Sequence, residues 1–354
     1  MRVFFFYSGC VALLLMGLLN ACSTEVKLNA EPKDIWVVYG ILNANDSVQY
    51  IRVSRAFLPE GNALEYAKEV DESVKGLQVS VEGAGKVYNA VELDSIPKDP
   101  QDGTFYPYTT LYRIDTKGDD ALQGGERYEL TVLQPGVDTF SIQSYTYVPD
   151  QVSFEKPKPV SGAGQQKCLR KVSLERDYKL EFRRGLGASF EIRAFLDYEE
   201  DFVPKQAIFG PTRQFADDFR CVDGFSVVCY NFVAKDILRS FFEQVNPQQG
   251  RIYDFAVTDD TECNNDPELL PDAFRFQVTA IDTFMTRYLS TTSPSFTDFS
   301  TVRPEYTNIE GTVESLGIFG SVSSSLASAK LDECSLFLLR LNNAPPPLSA
   351  CNLD

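Results

Sequence analysis

Residues 35–42 (IWVVYGIL) are followed by five turn-forming residues (NANDS) and then by 48–55 (VQYIRVSR), in which apolar side chains fall at every second position. A period of two belongs to a strand with one buried face, whereas a helix needs a period near 3.6. The two segments predict a β-hairpin. Strands are predicted again at 77–82, 87–93, 108–114, 128–133 and 139–147, separated by Gly, Pro and Asp, with a polar helical insert at 63–70. About seven short strands with frequent turn signals predict an immunoglobulin- or fibronectin-like β-sandwich over 35–150. The phrase GERYELTVLQPGVDTFSIQSYTYVP fits the last hairpin of such a domain.

Composition shifts at PDQVSFEKPKPVSGAGQQK, and the domain boundary is placed in a linker at 151–167. Beyond it, strands are predicted at 177–183, 189–198 and 273–281, with a last strand pair around 316–322 and 335–341. Ile237, Leu238, Phe241, Phe242 and Val245 recur at helical spacing, and Asp282 is placed to cap a second short helix. The fold class is thus mainly β, with a β-rich domain carrying one or two helices over 168–354.

The amino-terminal region has a different character. After Met1 and Arg2, residues 3–19 are almost continuously apolar, yet shorter than the roughly 20 residues a membrane span requires. Leu19-Asn20-Ala21-Cys22 then resembles the lipobox of bacterial lipoproteins, which implies that 1–21 is a lipoprotein signal peptide, Cys22 the lipidation site and 22–34 a polar tether. The competing explanation is an ordinary signal peptide with a chance cysteine. Lipid chains on Cys22 would exceed the two-signal threshold for stable anchoring.

Charge and cysteines narrow the function further. With 33 basic against 50 acidic residues, the net charge of −17 disfavours binding to nucleic acid or to an anionic lipid surface. Of the eight cysteines, Cys10 leaves with the signal and Cys22 carries lipid. Cys168, Cys221, Cys229, Cys263, Cys334 and Cys351 remain, an even set that in an exported chain reads as three disulfides. Spacing favours Cys221 with Cys229, Cys334 with Cys351, and Cys168 with Cys263, although 15 connectivities are open to six cysteines. Zinc is the alternative, but the chain has no histidine and no C-x-x-C pair.

The missing histidine also removes Ser-His-Asp and Cys-His catalysis. The serine cluster GSVSSS at 320–325 lacks the spacing of a nucleophile elbow and reads as a turn or strand edge. Asp260, Glu262, Asn264 and Asp266 alternate oxygen donors as the first half of a calcium loop does, but Asn265 stands where glycine is needed and Pro271 where the bidentate glutamate belongs. A solvated loop stapled at Cys263 is the plainer account. Phe105, Tyr106, Tyr108 and Tyr112 lie beside proline and are candidates for a stacking platform or protein-binding surface, against the ordinary alternative that they cover a sheet. No residue qualifies as catalytic.

The lipobox, VVYGILNANDSVQYIRVSRAFLPEGNALEYA at 37–67, SIPKDPQDGTFYPYTTLYR at 95–113, and VTAIDTFMTRYL with RPEYTNIEGTVESLGIFGS in 278–321 together resemble a family of Bacteroidota outer-membrane lipoproteins of unknown function. The resemblance covers most of the chain but rests on structural phrases, and it assigns no functional residues. Members are often encoded beside TonB-dependent transporters, so the resemblance implies an accessory or ligand-capture role with an outer-membrane β-barrel partner. The expectation is a non-enzymatic, lipid-anchored binding or accessory protein without a cofactor, facing the cell surface in preference to the periplasm. The alternative is a surface hydrolase of glycan or peptide that uses paired carboxylates.

Overall fold

The computed structural model describes residues 35–56, 63–98, 106–157, 160–161, 167–168, 171–173, 177–201, 203–215, 227–245, 253–254, 274–292, 306–331 and 334–335. The leader and tether, Cys22, Phe105, Cys221, Cys263, Cys351 and the calcium candidates Asp260, Glu262, Asn264 and Asp266 lie outside these residues.

Alternation in the first part of the chain becomes eight strands: β1 (Ile35–Asn43), β2 (Val48–Ala56), β3 (Gln78–Gly83), β4 (Lys86–Asn89), β5 (Val91–Pro97), β6 (Tyr108–Asp115), β7 (Arg127–Leu133) and β8 (Ser141–Tyr147). Helix α1 (Ala63–Glu69) lies between β2 and β3. The strands pair in the order β1-β2-β6-β5 in one layer and β8-β7-β3-β4 in the other. Lettered by sequence, these are the ABED and GFCC′ layers of an immunoglobulin-type sandwich. Trp36, Val38, Leu42, Ile51 and Val53 of the first layer face Val79, Val81, Leu130, Val132 and Ile142 of the second, and the Trp36 ring lies 4.5 Å from that of Phe140. Tyr128, fully buried near the start of β7, accepts a hydrogen bond from the Gln123 N–H at 2.7 Å, in the manner of a tyrosine corner.

The strand predicted at 87–93 is two strands in different layers. β4 pairs with β3; Ala90 then donates its N–H to the Val79 carbonyl, and β5 pairs with β6. No Gly or Pro marks this crossing in VYNAVEL, so nothing in the local sequence announces it.

The rest of the chain adds β9 (Ser153–Lys156), β10 (Val160–Ser161), β11 (Lys167–Cys168), β12 (Lys171–Val172), β13 (Tyr178–Arg183), β14 (Ser189–Glu200), β15 (Val203–Phe215), β16 (Val227–Phe232), α2 (Ala234–Val245), β17 (Tyr253–Asp254), β18 (Phe274–Ile281), α3 (Thr283–Thr292), β19 (Glu310–Gly311) and β20 (Ser315–Leu331). A second core lies between β15-β14-β18-β20 on one side and the sheet β16-β13-β9 with α2 on the other. It is rich in phenylalanine: Phe182, Phe190, Phe232, Phe241, Phe274 and Phe276 are all inaccessible to solvent. Burial of each such ring stabilises by about 1.5–3 kcal/mol. From α2, Ile237, Phe241 and Val245 point inward at one-turn spacing, while Phe242, expected on the same face, is 39% exposed.

The two cores share one strand. β20 runs parallel to β1 over 315–322 and antiparallel to β18 over 322–329, so a single sheet, β15-β14-β18-β20-β1-β2-β6-β5, spans both. Val148 packs in the first core and Val152 in the second, near the linker placed from the sequence. Residues 309–329 cross that division: Ile309 and Phe319 pack in the first core, Ala329 in the second. The serine cluster is therefore neither turn nor sheet edge but the middle of a 17-residue strand, with Ser321 and Ser323 buried where the cores meet. Ser335, expected in a strand, sits in a helical turn with Cys334. Among the described residues no helix is long and apolar enough to cross a membrane.

Candidate functional site

Strand alternation decides what the first layer shows to solvent. Because Trp36, Val38 and Leu42 face the core, Tyr39 and Ile41 face outward. Extending the β1–β2 register places Ile41 beside Tyr50; Tyr50 pairs with Arg113, and Arg113 with Val91. One row across four strands is thus apolar apart from Arg113, which is ion-paired with Asp115 at 2.6 Å. Tyr39, Ile41, Tyr50 and Val91 are 41%, 43%, 48% and 60% exposed. Side chains of this kind are ordinary when scattered; Tyr39, Ile41 and Tyr50 grouped on one sheet face, with Val91 beyond Arg113, make it a candidate interaction surface.

Helix α3 walls this face on one side. A Cβ built on Gly320, the β20 residue paired with Ile41, would lie 2.9 Å from the Met285 Cβ, so glycine is what lets α3 sit on the sheet. Tyr288 of α3 hydrogen-bonds Tyr39, and its hydroxyl pKa is raised, first by burial and then by that bond.

The helix is held by Asp282, the N-cap expected from the sequence. Asp282 Oδ1 accepts the Phe284 and Met285 N–H groups at 2.5 and 2.9 Å. Its Oδ2 accepts from the Thr146 hydroxyl of β8 at 3.0 Å, the Ser321 hydroxyl at 3.2 Å and the Ser321 N–H. Burial raises the Asp282 pKa above the ordinary carboxylate value, while these donors pull it down. The carboxylate joins β8, β20 and α3, and its hydrogen-bond partners among the described residues are hydroxyls and backbone amides. Its role is to position α3.

Of the tyrosine-rich segment, Tyr112 is not available to a ligand. It is 1% exposed, and its hydroxyl donates to the Val74 carbonyl at 2.8 Å and accepts the Leu77 N–H at 3.2 Å. Alternation explains this, since Thr110, Tyr112 and Ile114 share the inward face of β6. Tyr108 is 45% exposed and meets Tyr106 edge-on at 6.2 Å, a geometry that does not present two parallel faces to a sugar ring. The structure assembles a different aromatic group instead: Tyr145 meets Tyr147 and Phe284 edge-on, with the Arg127 guanidinium 4.3 Å over its ring. Its members come from two distant segments, so spacing along the chain gives no sign of it.

Cys229 and Cys334 each take part in a disulfide. Among the described residues no three His, Cys, Asp or Glu side chains gather as a metal site. A polar cleft of about 510 Å³ opens where β1 leaves β20, lined by Asn43, Asn45, Asp46, Gln151, Gln277 and Ser325 among others. Gln49, 2% exposed, ties the turn beside it together: its Oε1 accepts the Asn43 N–H at 2.8 Å, and its Nε2 lies 3.0 Å from the Asn43 and Asp46 carbonyls and Thr116 Oγ1, which share its two protons. No family model matches the chain, and comparison with curated proteins finds no significant match.

Proposed function

We propose that the chain is a non-enzymatic, lipid-anchored binding or accessory protein of the outer membrane, tethered through Cys22 and working with a β-barrel partner. The observation that carries this reading is the row Ile41, Tyr50 and Val91 with Tyr39 above it, an apolar sheet face walled by α3. The lipobox and the resemblance to Bacteroidota lipoproteins support the anchor, the membrane and the partner class. β1 begins within about 45 Å of the lipid, and the face at Tyr39 lies within about 60 Å, even if the intervening chain were fully extended. A partner reaching it would therefore lie close to the membrane surface.

The hydrolase alternative needs two carboxylates facing each other across a cleft. Among the described residues lining the cleft above, Asp46 is the one carboxylate. The test is affinity purification of the tagged, lipidated protein from native outer membranes, beside an Ile41→Asp, Tyr50→Asp double variant. A β-barrel protein retained by the parent and lost from the variant is the expected result; recovery of the parent alone would end the accessory reading.

A further inference from the structure

Where β1 leaves β20, a side chain continues the ladder by one step. On the β1 side, its even-numbered residues point their N–H and C=O groups at the neighbour: Ala44 donates to the Val322 carbonyl at 3.0 Å, and β1 then turns away. At the next even position the side-chain amide of Asn45 takes over. Its Nδ2 donates to the Ser324 carbonyl at 2.8 Å and its Oδ1 accepts the Ser324 N–H at 2.5 Å. Among the described residues the next strand on this side is β12, whose Lys171 pairs with Lys330.

Between these points stands Leu326. The register with β18 is unbroken from Val322 to Ala329, so Leu326 keeps the parity of Ser324 and its N–H and C=O face away from β18. They face the polar cleft, to which Ser324, Ser325 and Leu326 all contribute. Ser325 Oγ is buried there with no hydrogen-bond partner. Gln151 and Gln277 line the same space with primary amides.

We infer that this cleft is a recognition site for an extended peptide, which adds to β20 as a short strand in line with β1 and pairs its backbone with Leu326. The occupant follows from the chemistry. Asn45 already shows that this edge is matched by an amide, a peptide strand supplies amides at the required two-residue repeat, and the volume suits a few residues. The inference rests on the β20 edge and is independent of the apolar face of β1 and β2.

The test begins with selection of peptides from a randomised heptapeptide library on the immobilised mature protein. Peptides that emerge are expected to slow exchange of the Leu326 amide at least tenfold and to lose at least tenfold in affinity when methylated on alternate backbone nitrogens. Leu326→Pro removes the N–H that faces the cleft and spares the ladder to β18, so it should weaken binding to the same degree. The methylated peptides keep the test independent of how well that variant folds. Failure to enrich any peptide, or binding unaffected by methylation, would overturn the inference, and neither result bears on capture of a partner through Ile41 and Tyr50.

Discussion

The side chain of Asn308 pairs with the backbone of Phe319 as a neighbouring strand would, donating from Nδ2 to the Phe319 carbonyl at 2.7 Å and accepting its N–H at 3.0 Å. The same Nδ2 reaches the Tyr145 carbonyl at 3.2 Å, and the Asn308 carbonyl accepts the Ser144 hydroxyl at 2.7 Å. One asparagine thus closes the gap between β8 and β20. Asn308→Leu preserves bulk but strands these backbone groups, at a cost of about 2–4 kcal/mol in urea unfolding. Asn308→Asp keeps the acceptor for the Phe319 N–H and sets a carboxylate against the Phe319 carbonyl. Its loss of stability should therefore shrink as the pH is lowered enough to protonate that carboxylate.

Gly317 meets the backbone of β1 where the two cores are joined. Its φ is +120°, and a Cβ there would overlap the Val38 carbonyl. Gly317→Ala is expected to destabilise by about 3 kcal/mol or more, since neither strand can withdraw without opening the shared sheet. Thermal unfolding of purified protein checks this, with Gly76→Ala as the comparison. Gly76 also has a positive φ, of 73°, but nothing lies within 4 Å of its added Cβ, so a smaller loss there separates backbone strain from overlap.

Local patterning made the first sandwich legible because alternation and turn residues act over a few positions. The helix from Ala234 to Val245 and the Asp282 cap were legible for the same reason: spacing along one turn and one capping side chain define them. β20 was legible only in its first half: a strand was expected at 316–322, but the chain continues extended to Leu331 through serines and alanines that carry no long apolar run. Ser321 and Ser323 satisfy alternation only as polar side chains buried between two cores, an environment that exists only after β1 and β18 have paired on either side. The exposed row was equally hidden. Ile41, Tyr50 and Val91 fall in one row through register, with Arg113 between the last two, and Tyr112, grouped in the sequence with Tyr106 and Tyr108, faces the core by one residue of parity.

Burial pushes the hydroxyls of Tyr88 and Tyr112 up from the ordinary value of 10.0 to about 12. The folded protein therefore holds these two protons more tightly than the unfolded chain does. Their contribution to stability is fully present below pH 10 and is lost as the pH rises from 10 to about 12. Urea midpoints measured between pH 9 and 12 should fall across that window. Tyr112→Phe should flatten the fall, at the cost of a midpoint lowered at every pH by loss of the Val74 and Leu77 hydrogen bonds.

Cys229 and Cys334 are each disulfide-bonded, and with Cys10 and Cys22 set aside, as the proposed signal and lipid anchor would require, six cysteines form an even set. Intact mass of the mature protein should rise by about 6 Da on reduction when all six are paired. No change on reduction would contradict the oxidised state and return zinc thiolates to consideration.

The apolar face makes the sharpest separation between fold and function. Ile41 and Tyr50 are exposed and make no core contacts, so replacing both by aspartate should shift unfolding by no more than about 1 kcal/mol. A pair of like charges side by side on adjacent strands adds a modest repulsion, which salt should screen. Capture of a partner from outer membranes responds differently, because a desolvated carboxylate in an apolar contact is costly on either strand. Retained stability with lost capture assigns the face to binding. A control at the aromatic group on the opposite layer, Tyr147→Asp, leaves β1 and β2 untouched and should leave capture intact. If Tyr147→Asp abolishes capture and the double variant does not, the partner docks on the β8 side, and the binding surface is Tyr145, Tyr147 and Phe284.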